Sequence, residues 1–219
     1  MTDPKEPSNG RVTSSARSIW DVLKTRGFEP TLRRGSQKPD RYEELAGVPA
    51  PTEVVELWAV LGGRDILGMC FEGAQSAGQL RAARADEAES SGLGVPYEEL
   101  DGSSDGAVRM VWWDRRWCPL LATAEHAIAV DCHPGAKGAI GQVIFCDFDC
   151  CSDREAVWGS VTDFLRDVLT VISAEELTVE GGHGRIPRTG RSDATVTMAV
   201  LEVGRARRDG RPIALQPSC

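Results

Sequence analysis

The stretch from Val111 to Asp149, VWWDRRWCPLLATAEHAIAVDCHPGAKGAIGQVIFCDFD, constrains the fold more than any other part of the chain. It holds Trp112, Trp113 and Trp117, three of the six tryptophans, with Pro119 just after the last of them. An Asp131-x-x-Pro134-Gly135 turn and a Gly141-Gln142-Val143-Ile144 segment follow. Indoles bury large areas and keep one hydrogen-bond donor, so they require a core with a polar handle. The apolar runs read as strands over Val108 to Trp113, Ala127 to Val130 and Gln142 to Asp147. Gly135, Gly138 and Gly141 suit a sharp reversal between two of them. Successive strand residues point to opposite faces. That places at least two of the three tryptophans in the core and leaves one for an exposed groove.

Around this centre the pattern turns helical. Ile19, Trp20 and Leu23 share a face over Ser15 to Arg26, with Gly27 as a stop. Arg41 to Ala46 reads as a helical turn, and Val54, Leu57, Trp58 and Leu61 form a stripe on a helix that opens at Pro51 and ends at Gly62-Gly63. Ile66 to Phe71 reads as one strand and Gln75 to Glu89 as a helix. Val157 to Ile172 carries Trp158, Val161, Phe164, Leu165, Val168 and Ile172 at helical spacing. Thr195 to Val203 alternates like an additional strand, and Arg205 to Cys219 reads as loop. The organisation expected is a polar tail over residues 1–14, one domain over 15–175, and a partly flexible extension over 176–219.

Composition narrows the function classes. With 41% apolar and 26% charged residues the chain has the make-up of an ordinary soluble protein. It has no apolar run of about 18 residues that would span a bilayer. The N-terminus MTDPKEPSNG lacks the apolar core of a secretory signal, and the expectation is a cytoplasmic protein. A net charge of −8 disfavours direct nucleic-acid binding, which needs a surplus of Lys and Arg to displace counterions. It favours a basic protein partner. The acids concentrate between Arg84 and Arg109, where Asp86, Glu87, Glu89, Glu98, Glu99, Asp101 and Asp105 occur with no Lys or Arg. Such a segment is either a solvated loop or an electrostatic landing surface.

Each candidate chemical site in the sequence has a simpler explanation. Cys118, His126, Cys132, His133, Cys146, Cys150 and Cys151 are zinc-ligand types, but no Cys-x-x-Cys knuckle is present. In a cytosolic protein the seven cysteines are expected to be reduced thiols acting as small hydrophobes. Asp147 to Asp153 lacks the glycine and closing Glu of a calcium loop, and fits a turn with Ser152 or Asp153 as N-cap. Asp131-Cys132-His133 brings acid, thiol and base together in sequence, yet on a strand the three side chains alternate between faces. The glycines match neither phosphate-binding nor dinucleotide-binding loops. No cofactor, metal or catalytic set is expected.

The chain resembles the SUKH superfamily, in its Smi/Knr-type, cell-wall-assembly-regulator-like branch. The likeness rests on Glu43-Glu44-Leu45, the Pro51 to Gly63 helix, Trp113-x3-Trp117-x-Pro119-Leu120, Ile128-Ala129-Val130-Asp131-x2-Pro134-Gly135, Gly141-Gln142-Val143-Ile144 and the Val161 to Leu165 helix. It spans roughly Ser15 to Ser173 and departs at Val161-Thr162, where the family has a serine-aromatic pair. Further departures are the Ser90 to Gly106 loop, the thiol-rich Phe145 to Cys151 segment and the C-terminal extension. The resemblance implies an α+β fold, a curved mixed or antiparallel sheet with helices packed around it, and no catalytic residues. It implies a protein-binding role, either an immunity protein that occludes a toxin's active site or a regulatory scaffold. A Cys/His or zinc-dependent hydrolase is the remaining alternative. The expected contact residues are Trp113, Trp117 and Asp131 in a groove, with Glu98, Glu99 and Asp101 as electrostatic contacts.

Overall fold

The computed structural model describes residues 10–32, 39–92, 106–148, 154–180, 183–186 and 194–213. In chain order the elements are α1 (Arg11–Thr25), β1 (Thr31–Leu32), α2 (Pro39–Ala46), α3 (Thr52–Val60), β2 (Arg64–Ile66), β3 (Met69–Cys70) and α4 (Ala74–Ser90). Then come β4 (Trp117–Ala122), β5 (His126–Asp131), β6 (Gln142–Asp147), β7 (Arg154–Trp158), α5 (Val161–Ile172), β8 (Thr178–Glu180), β9 (His183–Ile186), β10 (Ala194–Thr195) and α6 (Val196–Arg208). The fold is α+β: the strands make three antiparallel sheets, with helices around the largest, which has the order β4-β5-β6-β7.

Strand alternation sorts the four-stranded sheet onto two cores. Ile128, Val130, Val143 and Phe145 face one way and join Ile19, Leu23, Leu57, Phe164, Val168 and Val200 in the larger cluster. Their neighbours Ala127, Ala129, Ile144 and Cys146 face the other way, onto Trp113, Trp117, Val108, Val111 and the α4 residues Ala85 and Ala88. The second face is lined by small side chains, which leaves room for two indoles. Trp113 and Trp117 meet edge to face at 5.5 Å with an 82° interplanar angle, a favoured aromatic geometry.

Several elements differ from the sequence expectation, each for a visible reason. Helix α1 begins at Arg11, inside the stretch expected to be tail, because Val12 and Ala16 extend its buried face. The expected strand Ile66 to Phe71 is instead a hairpin: Leu67 (φ 55°) and Gly68 (φ 88°) take the left-handed conformation, and Asp65 Oδ1 accepts the Gly68 N–H at 2.9 Å. Val108 to Trp113 is not a strand. The carbonyls that precede it turn to the glycine loop, where Ala107 O accepts Gly135 N–H and Gly106 O accepts Lys137 N–H, both at 3.0 Å. Val157 and Trp158 continue the ladder as β7, with Trp158 opposite Val143, and the helix starts only after Ser160. Ser160 Oγ accepts the Asp163 N–H at 3.2 Å as its N-cap.

The largest correction concerns the C-terminal part. The expected strand Thr195 to Val203 is the start of α6, which Thr195 caps by accepting the Met198 N–H. Val196, Ala199, Val200 and Val203 fall at helical spacing and are buried in the larger core, and Gly204 lets the helix close on Trp158. Arg205, Arg207 and Arg208, expected in a loop, belong to this helix. Arg205 and Arg208 pair with Glu155, and Arg207 pairs with the buried Asp167. Residues 183–186, within the extension expected to be partly flexible, form β9, which pairs with both β8 and β10.

Candidate functional site

The Trp117 end of β4 and the Asp131 end of β5 are register partners, so the side chains that carry the sequence motif arrive side by side. Asp131 Oδ1 accepts the Trp117 indole N–H at 3.0 Å and the His133 backbone N–H at 2.8 Å. Its Oδ2 accepts the Gln142 amide at 2.9 Å. Gln142 Nε2 also reaches the Ala107 carbonyl at 2.8 Å, and its Oε1 accepts the Ala139 N–H at 3.1 Å. This knot ties β4, β5, β6, the 107 turn and the glycine loop together. Gly138 is required there: a Cβ on it would sit 2.0 Å from the Ala107 carbonyl oxygen.

The expectation that Trp113, Trp117 and Asp131 line an open groove is not met. They are 3%, 0% and 0% exposed, because the 107–113 segment and the end of α4 roof over the second face of the sheet. They are interior supports. Of the electrostatic contacts expected from the acidic segment, Glu98, Glu99 and Asp101 lie outside the described residues. Asp86, Glu87 and Glu89, on α4, are exposed. Glu87 pairs with Arg84 at 2.9 Å and Glu89 with Arg115 at 2.5 Å.

Above the knot stands a cluster that sequence reasoning missed. Asp114, only 8% exposed, receives His133 Nδ1 at 2.6 Å and Arg109 Nη1 at 3.0 Å on Oδ2. Its Oδ1 accepts the Arg116 backbone N–H at 2.8 Å, with Arg116 Nε at 3.5 Å. The guanidinium groups of Arg109 and Arg116 both close on the imidazole of His133. These three side chains are partly open to solvent, at 32% for Arg109, 52% for Arg116 and 27% for His133. The one sequence signal was Asp114-x-Arg116 ahead of Trp117: an Asp that turns back on the N–H two residues on marks a fixed turn.

The two carboxylates respond to their surroundings in opposite ways. Burial raises Asp131, and the hydrogen bonds from His133, Gln142 and Trp117 only partly offset it, so its carboxyl titrates above the ordinary value. Burial also acts on Asp114, but the bonds from His133 and the Arg116 backbone, with the charges of both, outweigh it and hold Asp114 below the usual range. Asp114 is therefore firmly ionised near neutral pH.

The thiols are placed as packing groups. Burial pushes Cys118 and Cys146 up to about 12. Cys132 is raised by burial first and then by the charge of Asp131. A thiol held protonated in this way is a poor nucleophile. Cys132 packs against the larger core, whereas His133 turns to Asp114, so the Asp131-Cys132-His133 sequence does not assemble as an acid–thiol–base set. Cys150 and Cys151 lie outside the described residues. No group of three His, Cys, Asp or Glu side chains able to hold a metal ion occurs among the described residues, and no helix among them is long and apolar enough to cross a membrane.

No family model matches this chain, and no curated protein matches it.

Proposed function

We propose that the protein is a non-catalytic protein-binding domain, an immunity-type factor that silences a toxin by covering its active site. The observation that carries this reading is the closed bonding of the motif residues. Trp117, Asp131 and Gln142 bond one another and the backbone, with none of them aimed at solvent. A catalytic acid or base must reach a substrate proton. These groups instead stiffen a platform that presents long charged side chains.

The resemblance to SUKH domains supplies the biological class, and the charge supplies the partner's sign. A net charge of −8, with Asp86, Glu87 and Glu89 exposed on one helix, suits a basic toxin domain whose approach it would steer. The seat of action is the cytoplasm, where reduced thiols such as Cys118 and Cys146 persist.

The test is co-expression with the product of the adjacent gene, read as growth rescue and as a stoichiometric complex on gel filtration. Rescue with a stable complex is expected. A neighbourhood that encodes no toxin, or a toxin that kills equally with and without this protein, overturns the proposal. Within a working pair, replacing Asp86, Glu87 and Glu89 together by Lys is expected to slow association about tenfold at low salt, measured by stopped flow.

A further inference from the structure

The Arg109–Arg116–His133 cluster has more positive charge and more donors than the described residues satisfy. Arg109 and Arg116 share a single carboxylate among the described residues, Asp114. That carboxylate is also occupied by His133 Nδ1 and by the Arg116 backbone N–H. A guanidinium is a pure donor, and a histidine whose Nδ1 proton goes to Asp114 keeps only one ring nitrogen as an acceptor. Two fixed positive charges therefore stand against one negative charge.

The donors are also held in place. Asp131 fixes the backbone of His133, Asp114 fixes that of Arg116, and the knot beneath fixes β5 and the start of β4, just after Asp114. Pre-organised side chains lose little entropy when a ligand arrives, which makes them effective recognition groups. Arg115, between them in sequence, is turned away to Glu89 and leaves this spot to its neighbours.

We propose that Arg109, Arg116 and His133 form a receptor for one carboxylate, supplied by an Asp or Glu side chain of the protein partner. The two guanidinium groups face the single carboxylate of Asp114, and one further carboxylate balances the second of them. The planar fork of a guanidinium matches the two carboxylate oxygens. Asp114 is the positioning residue that keeps the cations together before the partner arrives. This assignment rests on the protein-binding reading and adds a contact opposite in sign to the acidic face of α4. On such a surface a basic toxin would be drawn in by the acids and held in register by one of its own carboxylates.

The probe is sodium acetate, added at constant ionic strength against sodium chloride, with the Arg Nε–H and imidazole signals followed by NMR. Saturable shifts of the Arg109 and Arg116 signals are expected. Arg109→Gln and Arg116→Gln are each expected to weaken acetate binding about tenfold, the loss of one charged hydrogen-bonding pair. Arg109→Lys, which keeps the charge and loses the fork, should fail to restore it. Shifts that match those of chloride overturn the receptor, and so does inorganic phosphate displacing acetate at lower concentration. The wild-type titration decides this even where a variant does not fold. Toxin rescue without acetate binding overturns the receptor and leaves the immunity reading standing. Acetate binding without toxin rescue supports the receptor and removes the immunity reading.

Discussion

Two buried aspartates in this protein each accept an indole N–H, and their surroundings differ in one respect. Asp131 takes Trp117 at 3.0 Å, and its other direct donors are the neutral Gln142 amide and the His133 backbone. Asp167 takes Trp158 at 3.0 Å, and its other donor is the cation Arg207, with Nη2 at 2.7 Å. Both carboxylates are fully buried. The first is a neutral-donor knot that joins three strands and two loops; the second is an ion pair that pins α6 onto α5. The same local pairing therefore yields a rigid joint in one place and a charge lock in the other.

Removing the carboxylates is the strongest way to break this comparison. Asp131→Ala leaves the Trp117 indole, the Gln142 amide and the His133 N–H without their acceptor, and is expected to lower unfolding stability by about 4 kcal/mol. Asp167→Ala strands the Trp158 indole, but Arg207 is 39% exposed and turns to water, so the expected loss is smaller, about 3 kcal/mol. Urea unfolding followed by tryptophan fluorescence measures both. Equal losses at the two sites would remove the distinction. The α6 side can also be broken without touching a charge. Gly204→Ala places a Cβ 2.5 Å from Trp158 Nε1, and the overpacking is expected to cost about 2 kcal/mol.

How stability changes with pH sharpens the comparison within the first knot. Asp131 has a raised folded value, so the native state holds a proton that the unfolded chain has already released. Its contribution favours folding below the ordinary carboxylate value and is lost as pH rises through the raised one. Asp114 is lowered, so its contribution is present above the ordinary value and is lost as pH falls through the depressed one. Asp131→Asn is expected to remove the decline on the rising side, and Asp114→Asn the decline on the acid side. Denaturant midpoints across pH 2 to 7, about the range where carboxyls titrate, read both. The smallest effects belong to the caps: Ser160→Ala on α5 and Thr195→Ala on α6 should each cost about 1 kcal/mol.

Strands β5 and β6 were readable in the sequence as short continuous apolar runs, because both their faces are buried, whereas β4 was not expected. β6 lies at the expected Gln142 to Asp147, and β5 extends the expected strand by one residue at each end. The C-terminal helix was not readable: Thr-Val-Thr-Met-Ala-Val-Leu-Glu-Val fits a strand as well as a helix. Docking on Trp158 and the Glu155 and Asp167 carboxylates decided it. The motif tryptophans were correctly marked as core candidates, but their burial removed the expected groove. The exposed cluster escaped notice because His133 finds its carboxylate in Asp114, on a different segment, rather than in the adjacent Asp131. Side chains that converge from separate loops leave no spacing pattern to read.

The borders of the large sheet limit how anything can attach to it. Strand β4 carries Pro119, which has no N–H to offer, and its Leu120 carbonyl already accepts the Glu72 N–H at 2.8 Å. At the opposite border α6 lies against β7, where Arg208 Nη1 bonds the Ala156 carbonyl at 3.1 Å. A visitor in extended conformation therefore finds one carbonyl on each rail of this sheet already taken, which hinders strand pairing along it. In the proposed complex, recognition would fall to side chains, which discriminate between partners in a way that backbone pairing does not.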